Sequence, residues 1–215
     1  MIPAQSTSKA TLSRVLAQLF AAGALICLDP GHGTVPSVGR QLEPIAPGSH
    51  VMKIKDGGGA PGEAPVALAI AKQTRNLLLA RGFRVAMTRT GPTYAGGNIE
   101  RAQFCNERHA ALMLRIHADG STDAATHGIS TLYKRGSEHA AAVVQRALVN
   151  TTRARDAGVV LRTDLTGFNW AKVPAILVET GFLTNPRERE LLHTRAYRAT
   201  IARGLVAGVA AFLRQ

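Results

Sequence analysis

Short apolar runs alternate with segments of helical periodicity along most of this chain, and that alternation limits the fold more than any other feature. Runs with the length and turn boundaries of strands predict strands at residues 24–28, 83–89, 111–117, 128–134 and 174–178. Helical spacing between them predicts helices at residues 63–81, 98–110 and 137–152, and in a C-terminal segment that begins after Asn185 and Pro186. Strands that alternate with helices favour an α/β fold built on a parallel sheet.

The length of the chain fits a single domain. At 215 residues it can bury one substantial core and is too short for two ordinary domains. We assign that domain to residues 24–215. Residues 1–23 are expected to form either an amphipathic helix or a signal-like segment, since Lys9 and Arg14 precede an apolar run there. No later run reaches the roughly 20 apolar residues of a membrane-spanning helix, so we expect no transmembrane segment.

Three polar side chains follow predicted strands at the point where each strand ends. His32 comes after the first strand, His117 ends a central strand, and Glu179 ends the last one. In open α/β sheets, the carboxyl ends of the strands form the edge where sites assemble. Two neutral imidazoles and one carboxylate can bind zinc and leave a fourth position for water. The sequence therefore predicts a zinc site that includes His32 and His117.

Glu63 is the expected third ligand. Residues 34–62 are rich in glycine and proline and have no sustained period, so we predict a long surface loop there. Glu63 follows this loop at a predicted helix start, where its charge suits the helix dipole. Spacing alone leaves Glu43 and His50 of the same loop as alternative ligands, and a purely structural role at the helix start as another interpretation of Glu63.

Three other carboxylates have candidate roles around such a metal. Glu179 is expected to act as general base, because hydrolysis needs a carrier for the proton of water and of the leaving amine. A structural ion pair with an arginine is the alternative. Asp29 and Asp119 lie near His32 and His117 in sequence, where each would accept the second ring N–H of its histidine. Each aspartate would otherwise cap its loop.

The two cysteines, Cys27 and Cys105, lie in apolar stretches. We predict that both are free thiols in the core, and a disulfide between them remains open because sequence alone does not fix their separation in space. No Cys-x-x-Cys pair is present to form a thiolate zinc site.

The ordered set of motifs resembles the catalytic domain of the zinc-dependent N-acetylmuramoyl-L-alanine amidases of the Amidase_3 type. The shared motifs are residues 28–33 (LDPGHG), Glu63 at a helix start, residues 115–119 (RIHAD) and residues 177–186 (LVETGFLTNP). Further similarity lies in residues 87–90 (MTRT), Arg101 and Asn106. The resemblance extends from about residue 24 to the C-terminus.

This resemblance implies a function and a fold. The implied reaction is hydrolysis of the amide between N-acetylmuramic acid and L-alanine of the peptidoglycan stem peptide. The implied ligands of zinc are His32, Glu63 and His117, with Glu179 as the catalytic glutamate. The implied fold is one twisted, mostly parallel six-stranded sheet flanked by helices, of the phosphorylase/hydrolase-like kind. A monomer in the cell envelope, periplasmic or secreted, is the corresponding expectation.

Two residues depart from the family pattern. Asp119 stands where the family usually has Asn, and Arg115 stands where it usually has Ser. Both changes leave the ligands intact and would act on substrate contacts. Asp119, together with Asp29 and Arg101, is a candidate for supporting the ligands or contacting the substrate. A zinc peptidase that acts on the stem peptide, and a wall-binding protein without activity, remain the alternatives.

The charge of the chain predicts an anionic partner. It has 26 Lys and Arg residues against 14 Asp and Glu, a formal net charge of +12. The basic residues are spread along the chain, without a block of five and with few aromatic residues to stack on bases, so we expect no specific nucleic-acid partner. Anionic cell-wall polymers suit this diffuse charge equally well.

Overall fold

The computed structural model describes residues 23–214, so the segment proposed for residues 1–23 lies outside the described residues apart from Gly23. The strands are β1 (Leu25–Pro30), β2 (Leu42–Pro44), β3 (Met52–Ile54), β4 (Arg84–Met87), β5 (Leu112–His117), β6 (Ile129–Tyr133), β7 (Asp156–Leu161) and β8 (Ala175–Glu179). The helices are α1 (Pro36–Gly39), α2 (Glu63–Ala80), α3 (Asn98–Glu107), α4 (Glu138–Thr152), α5 (Thr166–Trp170), α6 (Pro186–His193) and α7 (Arg195–Phe212).

The predicted α/β architecture is confirmed. Six strands form one sheet in the order β4-β1-β5-β8-β6-β7. Strands β4, β1, β5 and β8 are parallel to one another, while β6 pairs antiparallel with β8 and parallel with β7. The central strands β1, β5 and β8 are buried along nearly their whole length. This burial explains why they read as continuous apolar runs rather than alternating ones.

Helices cover both faces of the sheet. On β5, Leu112, Leu114 and Ile116 face a large core that also contains residues of α2, α4 and α7. Met113 faces the opposite, smaller core, which contains residues of α3 and α5. The alternation follows from the two-residue repeat of a strand. Sandwiching the sheet in this way fixes the carboxyl ends of β1, β5 and β8 side by side.

The prediction that the cysteines are free thiols is wrong. Cys27 on β1 and Cys105 on α3 form a disulfide, with 5.6 Å between their Cα atoms. Both residues are fully buried in the smaller core. Packing of α3 against the sheet brings them together across a sequence separation of 78, which local sequence patterns do not reveal.

Replacing both cysteines, Cys27→Ala with Cys105→Ala, is expected to lower the free energy of unfolding by about 2–4 kcal/mol, because the bond closes a long loop in the unfolded chain. Urea unfolding of the double variant beside wild type measures the change. Wild type under reducing conditions is the control and should lose a similar amount. A double variant as stable as the oxidised wild type would show that the bond does not stabilise the domain.

Several regular elements lie outside the strands and helices predicted from the sequence. Residues 34–62 hold α1 and an antiparallel hairpin of β2 and β3, in which Leu42 pairs with Ile54. These elements are too short to show a period. Strand β7 was also missed, because it is an edge strand that carries Gly158 at φ +85° and is exposed at most positions. Asp29 and Pro30 belong to β1, which therefore extends two residues beyond the predicted strand end at residue 28.

Candidate active site

The carboxyl edge of the sheet opens into a cleft of about 660 Å³. His117 and Glu179 are the last residues of β5 and β8, and they lie opposite each other in the strand pairing. His32 follows β1 by two residues, and Glu63 is the first residue of α2. All four side chains line the cleft. The structure therefore brings together the candidate ligands and the candidate base at one edge of the sheet.

His32, Glu63 and His117 form a compact cluster. One ligand atom from each lies within 4.8 Å of the others. Glu63 Oε1 is 3.2 Å from His32 Nε2 and 2.9 Å from His117 Nδ1. The two imidazole rings are nearly perpendicular, with centroids 4.9 Å apart. Two nitrogen donors and a carboxylate oxygen converge on one point, which suits a small divalent cation.

The remaining nitrogen of His32 is held by Asp56. The Nδ1 atom of His32 donates to Asp56 Oδ1 at 2.6 Å, so Nε2 faces the cluster. Asp56 also accepts hydrogen bonds from the backbone N–H groups of Thr34 and Gly58. Sequence reasoning gave this task to Asp29 and missed Asp56. An aspartate immediately before three glycines is a typical turn signal, and it was the available clue.

Asp29 does not contact His32 and has a different role. It is completely buried and accepts hydrogen bonds from Thr88 at 2.6 Å, Arg101 at 2.7 Å and Arg115 at 2.8 Å. Burial alone would raise the pKa of Asp29, but the charges of Arg101 and Arg115 and the bond from Thr88 hold it well below its usual value. Asp29 is therefore the anionic centre of a buried arginine cluster beneath the site.

Arg101 and Arg89 tie the loop that carries His32 to its surroundings. Arg101 donates to the carbonyl oxygens of Pro30 and His32, each at 2.8 Å. Arg89 donates to the Gly31 oxygen at 2.7 Å and to the Ala64 oxygen at 2.8 Å. Because Ala64 follows Glu63, Arg89 connects the segments that carry two of the clustered side chains. Arg101 contacts the backbone of the site and is not a lining residue of the cleft.

The departures from the family pattern fall in different places. Arg115 is buried, bonded to Asp29 and Asn98, and does not line the cleft, so the expectation that it alters substrate contacts finds no support in its position. Asp119 does line the cleft, but its carboxylate accepts from Gly120 N at 2.7 Å rather than from His117. The predicted support of His117 by Asp119 is wrong, because His117 Nδ1 lies 2.9 Å from Glu63 and Nε2 has no hydrogen-bond partner among residues 23–214.

The alternative ligands lie outside the cluster. Glu43 is buried and accepts from the backbone N–H groups of Asn98 and Ile99, so it caps the start of α3. His50 is exposed between the strands of the hairpin. Neither belongs to the cluster, which leaves Glu63 as the carboxylate that faces both histidines.

Glu179 is buried next to the cluster. Its Oε2 atom has no hydrogen-bond partner among residues 23–214. Burial, followed by the nearby charges of Asp119 and Glu63, raises the pKa of Glu179 well above its usual value. A buried carboxyl group with a free oxygen and a raised pKa can accept a proton and return it near neutral pH. Glu179 forms no ion pair with an arginine among residues 23–214, where the buried Arg101 and Arg115 pair with Asp29, so its structural alternative finds no support.

Several observations fit a metal ion at this cluster. A methyl group on Gly31 would overlap the His117 ring, and one on Gly59, at φ +67°, would overlap Glu63 and His32, so backbone closes tightly around the three side chains. Although burial lowers the pKa of His32, the hydrogen bonds that its ring donates to Asp56 and Glu63 raise it to about 9. His117 Nε2 is buried without a partner in the part of the chain described. The site thus attracts positive charge and offers imidazole nitrogens to receive it.

The family model, the curated relatives and the solved structures most similar to this chain agree with one another. The Amidase_3 family model, described as N-acetylmuramoyl-L-alanine amidase, matches residues 26–211. The chain is 27% identical over 237 residues to the amidase AmiA of Salmonella typhimurium, covering 87% of this chain and 75% of that protein. It is 29% identical to an N-acetylmuramoyl-L-alanine amidase of Mycobacterium tuberculosis, covering 89% and 87%. The crystal structure of the amidase Ami1 of Mycobacterium smegmatis has a TM-score of 0.82 at 28% identity, covering 90% of this chain and 98% of that one.

Proposed function

Because this chain belongs to the Amidase_3 family of N-acetylmuramoyl-L-alanine amidases, we propose that it uses zinc held by His32, Glu63 and His117 and a proton carrier at Glu179. The chain is an enzyme, a peptidoglycan hydrolase of the amidase class. The bond cleaved joins the lactyl group of N-acetylmuramic acid to L-alanine of the stem peptide. The observation that carries the proposed site is the convergence of three ligand atoms within 4.8 Å beside a buried glutamate.

The hydrogen bonds of His32 and Glu63 indicate which atom of each would bind the metal. His32 would bind through Nε2, because Asp56 occupies its Nδ1 atom. Glu63 would bind through the oxygen that faces both histidines, and its other oxygen, Oε2, accepts from Ala60 N at 2.9 Å. Zinc in such a site acts as a Lewis acid and lowers the pKa of water to near 7.

Glu179 moves the proton. Its partner-free Oε2 atom accepts the proton of the attacking water, and the raised pKa of the carboxyl group lets it keep that proton briefly near neutral pH. The same oxygen then donates the proton to the amide nitrogen of L-alanine as the bond breaks. Burial against β5 keeps the carboxyl group beside the cluster, so one side chain serves both steps.

Mass spectrometry of digested sacculi tests this function. The amidase reaction releases intact stem peptides with a free L-alanine amine and leaves glycan strands without peptide. A stem-peptide peptidase would instead leave shortened peptides on N-acetylmuramic acid. Finding only shortened peptides still attached to N-acetylmuramic acid would overturn the proposal. Sacculi treated in parallel with Glu179→Gln protein identify the products of contaminating enzymes.

Asp56→Asn is expected to weaken zinc affinity about 10–100-fold, because it removes the carboxylate that orients His32 and increases its basicity. Competition with a chromogenic chelator measures the affinity. Asp123→Asn is the control, since Asp123 is an exposed aspartate that bonds only nearby residues of its own turn. Equal zinc affinity in Asp56→Asn and wild type would show that Asp56 does not support zinc binding by His32.

We also propose that the enzyme acts as a monomer in the cell envelope, periplasmic or secreted. The class of substrate supports this location, since peptidoglycan lies outside the cytoplasmic membrane. Among residues 23–214, no helix has the length and apolar character needed to cross a membrane. Size-exclusion chromatography with light scattering tests the monomer, and a stable dimer at micromolar concentration would contradict it.

A further inference from the structure

We propose that a second cleft, beside the active site, binds oxyanion groups of the wall polymer and so holds the substrate strand against the enzyme. This inference rests on the proposed function, because it assigns the polymer that the active site cuts as the ligand. The cleft has a volume of about 780 Å³. We call it the basic cleft, and its polar lining residues include Arg153, Arg155, Arg187, His127, Asn185 and Tyr197.

The three arginines of the basic cleft are exposed and lack acidic partners. Arg153, Arg155 and Arg187 form no ion pair with any carboxylate in the described range, and the one side-chain bond among them is a 3.4 Å contact from Arg155 to the His127 oxygen. The acidic lining residue Glu188 is buried and accepts from the backbone N–H groups of Gly128 and Phe182. Three guanidinium groups therefore face the cleft with free donors.

Arg153 occupies a position that favours glycine. It ends α4 in the left-handed conformation, at φ +59°, and its N–H donates to the Val149 oxygen. Glycine takes this conformation without the cost that a Cβ atom imposes. An arginine here gives up some stability and places a long cation in the lining of the cleft. That combination agrees with a binding role for the side chain.

The basic cleft and the active-site cleft share a wall. Thr184 and Ser121 line the active-site cleft, and the next part of the same two segments, Asn185 and Ala125, lines the basic cleft. The segments are joined by hydrogen bonds from Ser121 N to Thr184 Oγ1 and from Asn185 Nδ2 to the Ala124 oxygen, each 3.0 Å. A polymer seated at the zinc cluster can therefore cross this wall and reach the arginines.

The chemistry of the basic cleft selects oxyanions. Guanidinium groups bind carboxylate and phosphate through paired, charge-assisted hydrogen bonds. Carboxylates of neighbouring stem peptides and phosphodiester polymers attached to the wall both offer such groups, repeated along a chain. Each exposed contact is weak, so the basic cleft would act through several contacts at once and lose affinity as salt rises.

Sedimentation with purified sacculi tests the proposal. Every protein carries Glu179→Gln, so binding is measured without cleavage and does not depend on whether the enzyme is active. The test variant combines Arg155→Gln and Arg187→Gln, and the control combines Arg75→Gln and Arg84→Gln, which removes the same charge from exposed positions outside the cleft. A third protein carries Arg153→Gly, which removes a cleft cation while relieving the left-handed strain, so its fold is retained.

The cleft variants are expected to bind sacculi on the order of 10-fold more weakly than the control pair. Sacculi stripped of phosphodiester polymers identify the source of the anion: retained binding assigns it to stem-peptide carboxylates, and lost binding assigns it to phosphate. Equal binding by the cleft and control variants would overturn the proposal. Tighter binding of duplex DNA than of sacculi to the basic cleft at physiological salt would also overturn the proposal.

Failure of the basic cleft is distinguishable from failure of the proposed function. In the active background, the cleft variants should raise KM on sacculi and leave kcat on a soluble, single-stem muropeptide unchanged. An enzyme that cleaves neither substrate contradicts the proposed function, whereas normal cleavage with identical KM for cleft and control variants contradicts only the basic cleft.

Discussion

Replacing Glu179 with glutamine is expected to lower kcat on sacculi by about 10²–10⁴-fold while the protein keeps its zinc. Glutamine has nearly the same shape as glutamate but cannot accept the proton of the attacking water. Glu179 lies opposite His117 in the strand pairing and contributes no atom to the metal cluster, so the ligands should remain in place. Release of stem peptides from sacculi measures the rate, and elemental analysis measures the zinc.

Asp119→Asn is the matched control for this prediction. Asp119 is another carboxylate that lines the same cleft, and its oxygen bonds only the adjacent backbone N–H of Gly120. The amide replaces a similar shape, so Asp119→Asn should lose far less activity than Glu179→Gln. Near-normal rates in Glu179→Gln would show that Glu179 is not the proton carrier.

Replacing Asp29 with asparagine is expected to lower the free energy of unfolding by about 3–5 kcal/mol, because Arg101 and Arg115 would be left buried without a counter-charge. Both guanidinium groups are almost completely buried, so water cannot compensate for the lost carboxylate. Thermal or urea unfolding measures the loss. Asp164→Asn is the control: its partner Arg162 and Asp164 itself are well exposed, so about 0–1 kcal/mol is expected.

The Asp29 effect should depend on pH. The pKa of Asp29 is held far below its usual value of 3.8, so its ionised form stabilises the fold above about pH 4. That stabilisation is lost as pH falls below the unfolded-state pKa towards the lower folded-state pKa. The difference in unfolding free energy between wild type and Asp29→Asn should therefore be largest at about pH 7 and smaller at about pH 3. A difference that is constant with pH would mean that Asp29 does not act through its charge.

Strand-end residues were predictable because their positions depend on local pattern. A buried parallel strand produces a continuous apolar run, and the residue that ends the run lies at the carboxyl edge of the sheet. His117 and Glu179 end β5 and β8, as the sequence indicated. His32 was placed for the same reason. Glu63 followed mainly from the family resemblance, since a helix start gives no information about which strand end it will face.

Contacts between distant segments were not predictable. Asp56 reaches His32 from the end of the β2–β3 hairpin, which is held to α3 by the bond from Asn98 to Glu43 and to α5 by the bond from Trp170 to the Pro44 oxygen. The bond between Cys27 and Cys105 depends on how α3 lies across the smaller core. Asp29 was assigned to the nearest histidine in sequence, yet its partners come from β5, α3 and the segment after β4. In each case the partner was set by packing between elements.

Zinc content tests the central claim most directly. Protein purified without chelators, then loaded with zinc and desalted, is analysed by inductively coupled plasma mass spectrometry. The account predicts one zinc per chain for wild type and for Glu179→Gln, and loss of the metal in His32→Ala and His117→Ala. Wild type without stoichiometric zinc, or His117→Ala with a full equivalent, would contradict the proposed metal centre.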